Sequence, residues 1–555
     1  MHANSARPST TSDDASVRIP VDVRRFPWIR RLAADYAYDF QALAPFFCGD
    51  PADGGAWADA IRRTQAHHRP TAEVAAVIAA QQQRRQAPAP SVEAARRLAD
   101  SRTVAIVTGQ QAGLFGGPLS TLLKALTAMK LAARVSRDHG VPAVAIFWID
   151  AEDHDWDEVR SCTVFDDEWR PRTVSLPART SAEPASVATI LLDDSILAVL
   201  NAVETVLPAT EFRASLLAQL RSAYMPGRGM AEAFGRWLER LLGEGGLIVY
   251  DSSDPVSKDL VGGVFARELS MPGHTARLAA LAGSTLLARG YHSQVHATDD
   301  SLALFHLERG RRAIRQQDGH VVVGEQSYTP SMLAGQAATR PTLFSPSVLL
   351  RPIVQDTIFP TICYVAGPNE LAYLAQLRGV YEHFGVPMPL MYPRATATLV
   401  DSAALRFLTK YSLPMERLQS QDEAALNELL KAQLPSAVEA SFADAAQALD
   451  AHMTRVIQAV PLIDSTLEGA ARSTLSRMQD NLQTLHAKMI HAAKRRDETL
   501  RRQFAHARAL AFPNGHAQER TVGVVSFLNQ YGPALVERLA HELPLDLGRH
   551  WIVNI

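Results

Sequence analysis

Between Glu152 and Glu158 the chain reads Glu-Asp-His-Asp-Trp-Asp-Glu, placing six ionisable side chains in seven positions. Carboxylates this dense repel one another unless a cation, a substrate amine or a basic side chain sits among them. His154 could act as a general acid or base near neutral pH, with a neighbouring carboxylate orienting the ring. Glu152, Asp153, His154 and Asp155 are therefore the candidate catalytic residues. Two other readings fit the same letters. The cluster could supply ligands for a divalent metal, as a metal-dependent hydrolase would need, or it could be a solvated acidic turn.

A second constellation precedes it, Thr108-Gly-Gln-Gln-Ala-Gly-Leu-Phe-Gly-Gly-Pro118. Gly109, Gly113, Gly116 and Gly117 permit close backbone approach and positive φ, and a helix after Pro118 would aim free N–H groups at an anion. Thr108, Gln110 and Gln111 add neutral hydrogen-bonding groups, and Lys124 follows early in that helix. The run matches neither the Walker A pattern nor a dinucleotide fingerprint. Taken alone, it could equally be a tight connection.

The third constellation spans 344–394. Arg351 offers a planar fork for a carboxylate or phosphate, with Gln355 and Asp356 close behind; an Arg351–Asp356 ion pair at the core rim is the structural alternative. Gly367-Pro368 makes a turn, and Glu370, Tyr373 and Gln376 share one helical face. Arg394 follows a proline-containing run and could reach the same edge. Cys363 lies in an apolar stretch and reads as packed rather than nucleophilic.

These groups need a frame to bring them together. Val104–Val107 reads as a buried strand, Leu119–Val135 has helical spacing, and Val144–Ile149 is apolar again. Such a βαβ unit joins parallel strands, so the glycine loop and the acidic cluster should share one sheet edge, where ligands of open α/β sheets bind. Leu247–Asp251 suggests a further strand, and Gln317-Asp-Gly-His320 a hairpin turn. The expected organisation is a disordered tail at 1–20, a helical segment at 21–100 and an α/β core at 101–400. Insertions are expected at about 163–240 and 285–335. Residues 401–510 are nearly free of glycine, and Leu475, Met478, Leu482, Leu485, Met489 and Ala492 form a heptad seam. Pro461 interrupts the helical run, which predicts an antiparallel helical hairpin. Lys494-Arg-Arg496 and Arg501-Arg502 read as a solvated face, with an anion contact as the rival. Residues 511–555 should return to the core.

Composition excludes several classes. A length of 555 residues predicts about two to four units. The formal charge of −2 gives no pull toward nucleic acid or anionic membrane. Cys48, Cys162 and Cys363 are too few and too widely spaced for a disulfide framework or a Cys-rich zinc site, which fits a reducing compartment. No signal-peptide core or membrane-length apolar run is present. A soluble cytoplasmic protein is expected.

Four runs together resemble one family: Thr108-Gly-Gln-Gln-Ala-Gly-Leu-Phe-Gly-Gly-Pro-Leu119, Phe147-Trp-Ile-Asp-Ala-Glu-Asp-His-Asp155, Leu350-Arg-Pro-Ile-Val-Gln-Asp356 and Tyr364-Val-Ala-Gly-Pro-Asn-Glu370. They look like the signatures of the bacillithiol biosynthesis enzymes that add cysteine, and the similarity covers essentially the whole chain. Two departures are Ser347, where the family often has Asn, and Asp150-Ala151 in place of small residues. The resemblance implies a Rossmann-like parallel-sheet core with connecting insertions, and an α-helical antiparallel coiled coil supporting a homodimer. It also implies a ligase of the carbon–nitrogen bond-forming class that joins L-cysteine to glucosaminyl-malate. Condensing a carboxylate with an amine in water is uphill, so the cysteine carboxyl needs activation, most economically by ATP with Mg²⁺. On this reading the Gly109–Gly117 loop cradles phosphate or carboxylate oxygens. His154 and Asp155 handle protons or hold the amino sugar, while Arg351 and Arg394 neutralise malate or phosphate. No protein metal site is expected. The alternatives are a metal-dependent hydrolase or a non-catalytic assembly protein acting through the coiled coil.

Overall fold

The computed structural model describes residues 18–179, 186–432, 436–496 and 498–555. Positions 1–17 of the expected tail and the side chains of Lys494-Arg-Arg496 lie outside the described residues. The chain divides into two compact units: one runs up to Thr398 and takes in Gln518–Val553, and the other comprises Leu399–Ala517.

Five parallel strands organise the first unit: β1 (Val104–Gln111), β2 (Ala143–Asp150), β3 (Ile248–Asp251), β4 (Thr361–Ala366) and β5 (Leu390–Pro393). Their near-continuous Val, Ile, Ala and aromatic content suits strands covered on both faces. The sheet order is β5-β4-β1-β2-β3, and every neighbouring pair is parallel. From β1 the chain moves outward to β2 and β3, then returns to the other side of β1 as β4. The order therefore reverses between β1 and β4, and their carboxyl ends flank the switch-point crevice where such sheets take ligands.

The helix Leu119–His139 makes the first crossover, and Gly140 stops it in the left-handed conformation with its N–H on the Ser136 carbonyl. Between β2 and β3 lies the antiparallel pair Ser161–Phe165 and Pro171–Ser175, followed by the helices Ser195–Val206, Arg213–Ala223 and Met230–Leu242. Between β3 and β4 lies a five-stranded antiparallel sheet spanning 301–346. One of its hairpins closes at Gln317 and His320. The intervening Asp318 and Gly319 both have positive φ, as a two-residue turn of the favoured twist requires. The C-terminal strand Arg549–Asn554 pairs antiparallel with Arg18–Asp22.

In the second unit the helices Ser436–Ala459 and Glu468–Arg496 are joined through short turns around Pro461. His486 meets Glu439 at 2.8 Å and its ring lies 4.8 Å from that of Phe442, so the two helices run antiparallel. The hairpin covers only part of the heptad seam: Leu475 and Leu482 are half-buried, but Met478, Leu485 and Met489 remain exposed.

Candidate functional site

A cavity of about 500 Å³ opens at the carboxyl ends of β1, β2 and β4. Its floor includes Gly109 and Gln110 from β1, Trp148 and Asp150 from β2, and Tyr364 from β4. Phe305, Arg311 and Pro346 of the antiparallel insertion, with Ser347 just after it, also line the cavity. Gly109 lies where a side chain cannot, because a Cβ there would stand 2.8 Å from the Trp148 carbonyl oxygen.

Two cations on the wall are neutralised within the chain. Lys124 pairs with Glu370 at 2.5 Å and donates to the Gly109 carbonyl at 2.8 Å and to Gln110 Oε1 at 3.0 Å. Burial lowers the lysine's pKa, with Glu370 opposing. Burial would raise that of Glu370, but Lys124 and the Gly367 amide, donating at 2.6 Å, hold it below the usual carboxylate range. Arg394 makes a bidentate pair with Glu519 at 2.9 and 2.7 Å, both side chains being buried. Arg394 lines the cavity as expected, with its charge matched by Glu519.

Arg351 differs. It opens the helix Arg351–Ile358, an end where the helix dipole disfavours a cation, and its side chain is buried. Its partners are uncharged: Gln355 Oε1 at 3.0 Å, Tyr373 Oη at 3.2 Å and Tyr364 Oη at 3.5 Å. Among the described residues no carboxylate lies within ion-pairing distance of it. Gln355 in turn donates to Asp356 at 2.8 Å, and Asp356 accepts from Tyr381 at 2.5 Å. Gln355 and Asp356 thus stand behind Arg351 and orient it rather than facing the cavity. No Arg351–Asp356 ion pair forms. Tyr373 reaches the cavity, and burial pushes its phenol up to about 12, so it stays a neutral donor.

The acidic cluster disperses. Only Asp153 of the four candidate catalytic residues lines the cavity. Its carboxylate accepts from Gln111 Nε2 at 2.8 Å and the His154 amide at 2.7 Å, and lies 3.6 Å from Arg311. Burial opposes its ionisation, but these donors hold its pKa low. His154 sits at the rim, about half exposed, with Nδ1 3.0 Å from an Arg311 nitrogen and 3.2 Å from Asp153. Glu152 is buried in an ion pair with Lys258, which also donates to the Phe344 carbonyl. Asp155 caps the turn Trp156–Val159 by accepting from the Glu158 amide. Glu158 accepts from Gln111 at 2.7 Å. Among the described residues no group of three or more His, Cys, Asp or Glu side chains converges on a metal position.

The glycine loop is a tight connection. Its Gly113, Gly116 and Gly117 amides bond to the carbonyls of Gln111, Gly113 and Leu114, and the Leu119 amide to that of Val522. Gly116 and Gly117 adopt positive φ. Those four amides are engaged, so they do not form the expected anion cradle; the loop presents only Gly109, Gln110 and Gln111, with Ser120 beyond, to the cavity. Thr108 is fully buried and donates to the Val365 carbonyl at 2.9 Å, fastening β1 to β4.

Sequence reasoning missed Asp150, Arg311 and Glu519. The first had a usable signal. On β2 the residues Val144, Ile146 and Trp148 belong to the core beneath one sheet face, and the two-residue period extends that row to Asp150.

A doubly wound parallel sheet with a charged cavity at its switch point defines a Rossmann-like protein. The family description "Bacillithiol biosynthesis BshC, N-terminal Rossmann-like domain" matches residues 19–395, and "Bacillithiol biosynthesis BshC, C-terminal coiled-coil domain" matches 397–555. The chain belongs to this bacillithiol biosynthesis family. It is 33% identical to a Salinibacter ruber protein named "Putative cysteine ligase BshC", over 99% of this chain and all of that relative. Proteins of the same name from Chlorobaculum tepidum and Koribacter versatilis are also 33% identical, over 83% and 78% of this chain and 84% and 81% of their own lengths.

Proposed function

We propose that this protein is the cysteine ligase of bacillithiol synthesis, forming the amide between L-cysteine and the amino group of glucosaminyl-malate. The observation that carries the reading is Arg351: a buried guanidinium on the wall of the switch-point cavity, held by neutral groups and lacking a carboxylate. Such a cation calls for an anion from outside the chain, and the reaction supplies carboxylates.

ATP, with Mg²⁺, would supply the leaving group that activates the cysteine carboxyl. Ser120 at the first turn of Leu119–His139 and the exposed Arg520 are the groups of this chain on the wall that suit phosphate oxygens. Asp153, kept ionised, suits the amine of the sugar, and the adjoining His154 ring offers a route for its proton. The test is incubation of the purified protein with cysteine, glucosaminyl-malate and ATP–Mg²⁺, scored by mass for the condensed thiol. No product, with or without cell extract, overturns the reading.

The exposed Met478, Leu485 and Met489 support a homodimer through the helical hairpin, because a heptad seam left open to water favours a second helical surface. No helix among the described residues is long and apolar enough to cross a membrane, and the reading needs no membrane or nucleic-acid partner.

A further inference from the structure

Three of the four cations on the buried cavity wall have a carboxylate within the chain: Lys124 has Glu370, Arg394 has Glu519, and Arg311 has Asp153. Setting those pairs aside leaves Arg351 and one acid, Asp150 at the end of β2. The Asp150 side chain makes no hydrogen bond or ion pair with any described residue, Arg351 included. Asp150 and Arg351 thus line one cavity, electrostatically coupled yet without a direct ion pair. Burial raises the Asp150 carboxyl above its ordinary range, Arg351 being the largest opposing influence.

The geometry points to a zwitterion subsite: Asp150 receives the α-ammonium of an α-amino acid whose carboxylate lies against Arg351. A buried charge is costly unless paired. A molecule carrying both charges on one carbon relieves both costs at once, whereas a dicarboxylate meets Arg351 but is repelled by Asp150. Trp148, Pro346 and Val348 give the same cavity an apolar wall suited to a thiol side chain. This inference rests on the ligase reading for the identity of the amino acid, cysteine, and it assigns Asp150 as the residue that distinguishes an amino acid from a simple carboxylic acid.

The test is calorimetric titration of the full chain, with and without glucosaminyl-malate, using L-cysteine, 3-mercaptopropionate, which lacks the ammonium, and cysteamine, which lacks the carboxylate. The wild-type protein should favour L-cysteine over 3-mercaptopropionate by about tenfold or more, as expected for a charged hydrogen-bonding partner. Asp150→Asn should abolish that preference while leaving 3-mercaptopropionate binding equal or tighter. Retention of the preference in Asp150→Asn overturns the inference. So does equal wild-type affinity for the two thiols, or no saturable cysteine binding under either condition. The wild-type series decides the matter even if the variant does not fold. A protein that shows this discrimination but makes no condensed product loses the ligase reading and keeps the zwitterion subsite. Product formation without the discrimination does the reverse.

Discussion

Lys124 and Glu370 meet at 2.5 Å across the point where the sheet changes direction, one from the helix that follows β1 and the other from the helix Pro368–Leu374 that follows β4. Glu370 also accepts from the Gly367 amide and from Tyr364 Oη, so one carboxylate ties the two switch-point connections together. The cavity floor is shaped by this contact. Its cost, the burial of a lysine, is offset by a carboxylate that the chain provides 246 positions later (370 − 124).

Removing one member of this pair should be more damaging than removing both. Lys124→Ala leaves Glu370 without its cation and should cost about 3 kcal/mol, read from urea unfolding, with Lys124→Ala/Glu370→Ala recovering part of the loss. The folded-state pKa of Glu370 is depressed, so its contribution is present above the unfolded value of about 4.3 and is lost as pH falls through the folded pKa. Unfolding midpoints of wild type and Glu370→Gln should therefore converge in acid.

Asp150 should show the opposite sign. Its folded pKa is raised, so its stabilising contribution is full below the unfolded value of about 3.9 and is lost as pH rises through the folded pKa. Asp150→Asn should raise the melting temperature of the ligand-free protein at pH 7, and the gain should vanish near pH 3. Thermal melts at the two pH values measure this.

Arg351 and Arg394 should separate in their phenotypes. Arg394→Ala orphans the buried Glu519 and should cost about 3–5 kcal/mol of stability, partly restored in Arg394→Ala/Glu519→Ala. Arg351→Met removes a cation with no internal carboxylate, so stability should change by less than about 1 kcal/mol or rise. Condensing activity should fall by about 100-fold or more. Denaturation curves beside steady-state rates distinguish the two.

His154→Ala tests the rim imidazole. If the ring relays the proton of the sugar amine, kcat should fall by about 10²-fold or more with little change in the melting temperature, because the side chain is about half exposed. Full bacillithiol formation by His154→Ala would remove His154 from the catalytic residues.

Leu485→Glu/Met489→Glu places charge on the exposed heptad seam. Sedimentation of wild type and variant should show a dimer converted to a monomer.

Much of the frame was legible in the letters. The βαβ period, the strand at Leu247–Asp251, the Asp318-Gly319 turn and the helical hairpin around Pro461 are local patterns set by side-chain spacing and backbone preference. Gly109 was legible as a site of close backbone approach. The glycine loop as an anion cradle was not sustained, because its amides bond within the loop and to Val522, a residue some four hundred positions away. The dense run 152–158 suggested one centre, but it divides: Asp153, His154 and Glu158 meet around Gln111 and Arg311, while Glu152 turns to Lys258 and Asp155 caps a turn.

Periodicity and local propensity alone specify where this chain alternates between strand and helix, and hence that two loops share a sheet edge. Which charges meet there is a tertiary decision. Arg311 arrives on an insertion, Glu519 on a segment that returns after the helical unit, and Lys258 from beyond β3 to take Glu152 out of the site. No local spacing encodes these pairings, since each depends on long-range packing. Only after they form do Asp150 and Arg351 remain as the unmatched charges of the cavity's inner wall, with the exposed Arg520 at its edge.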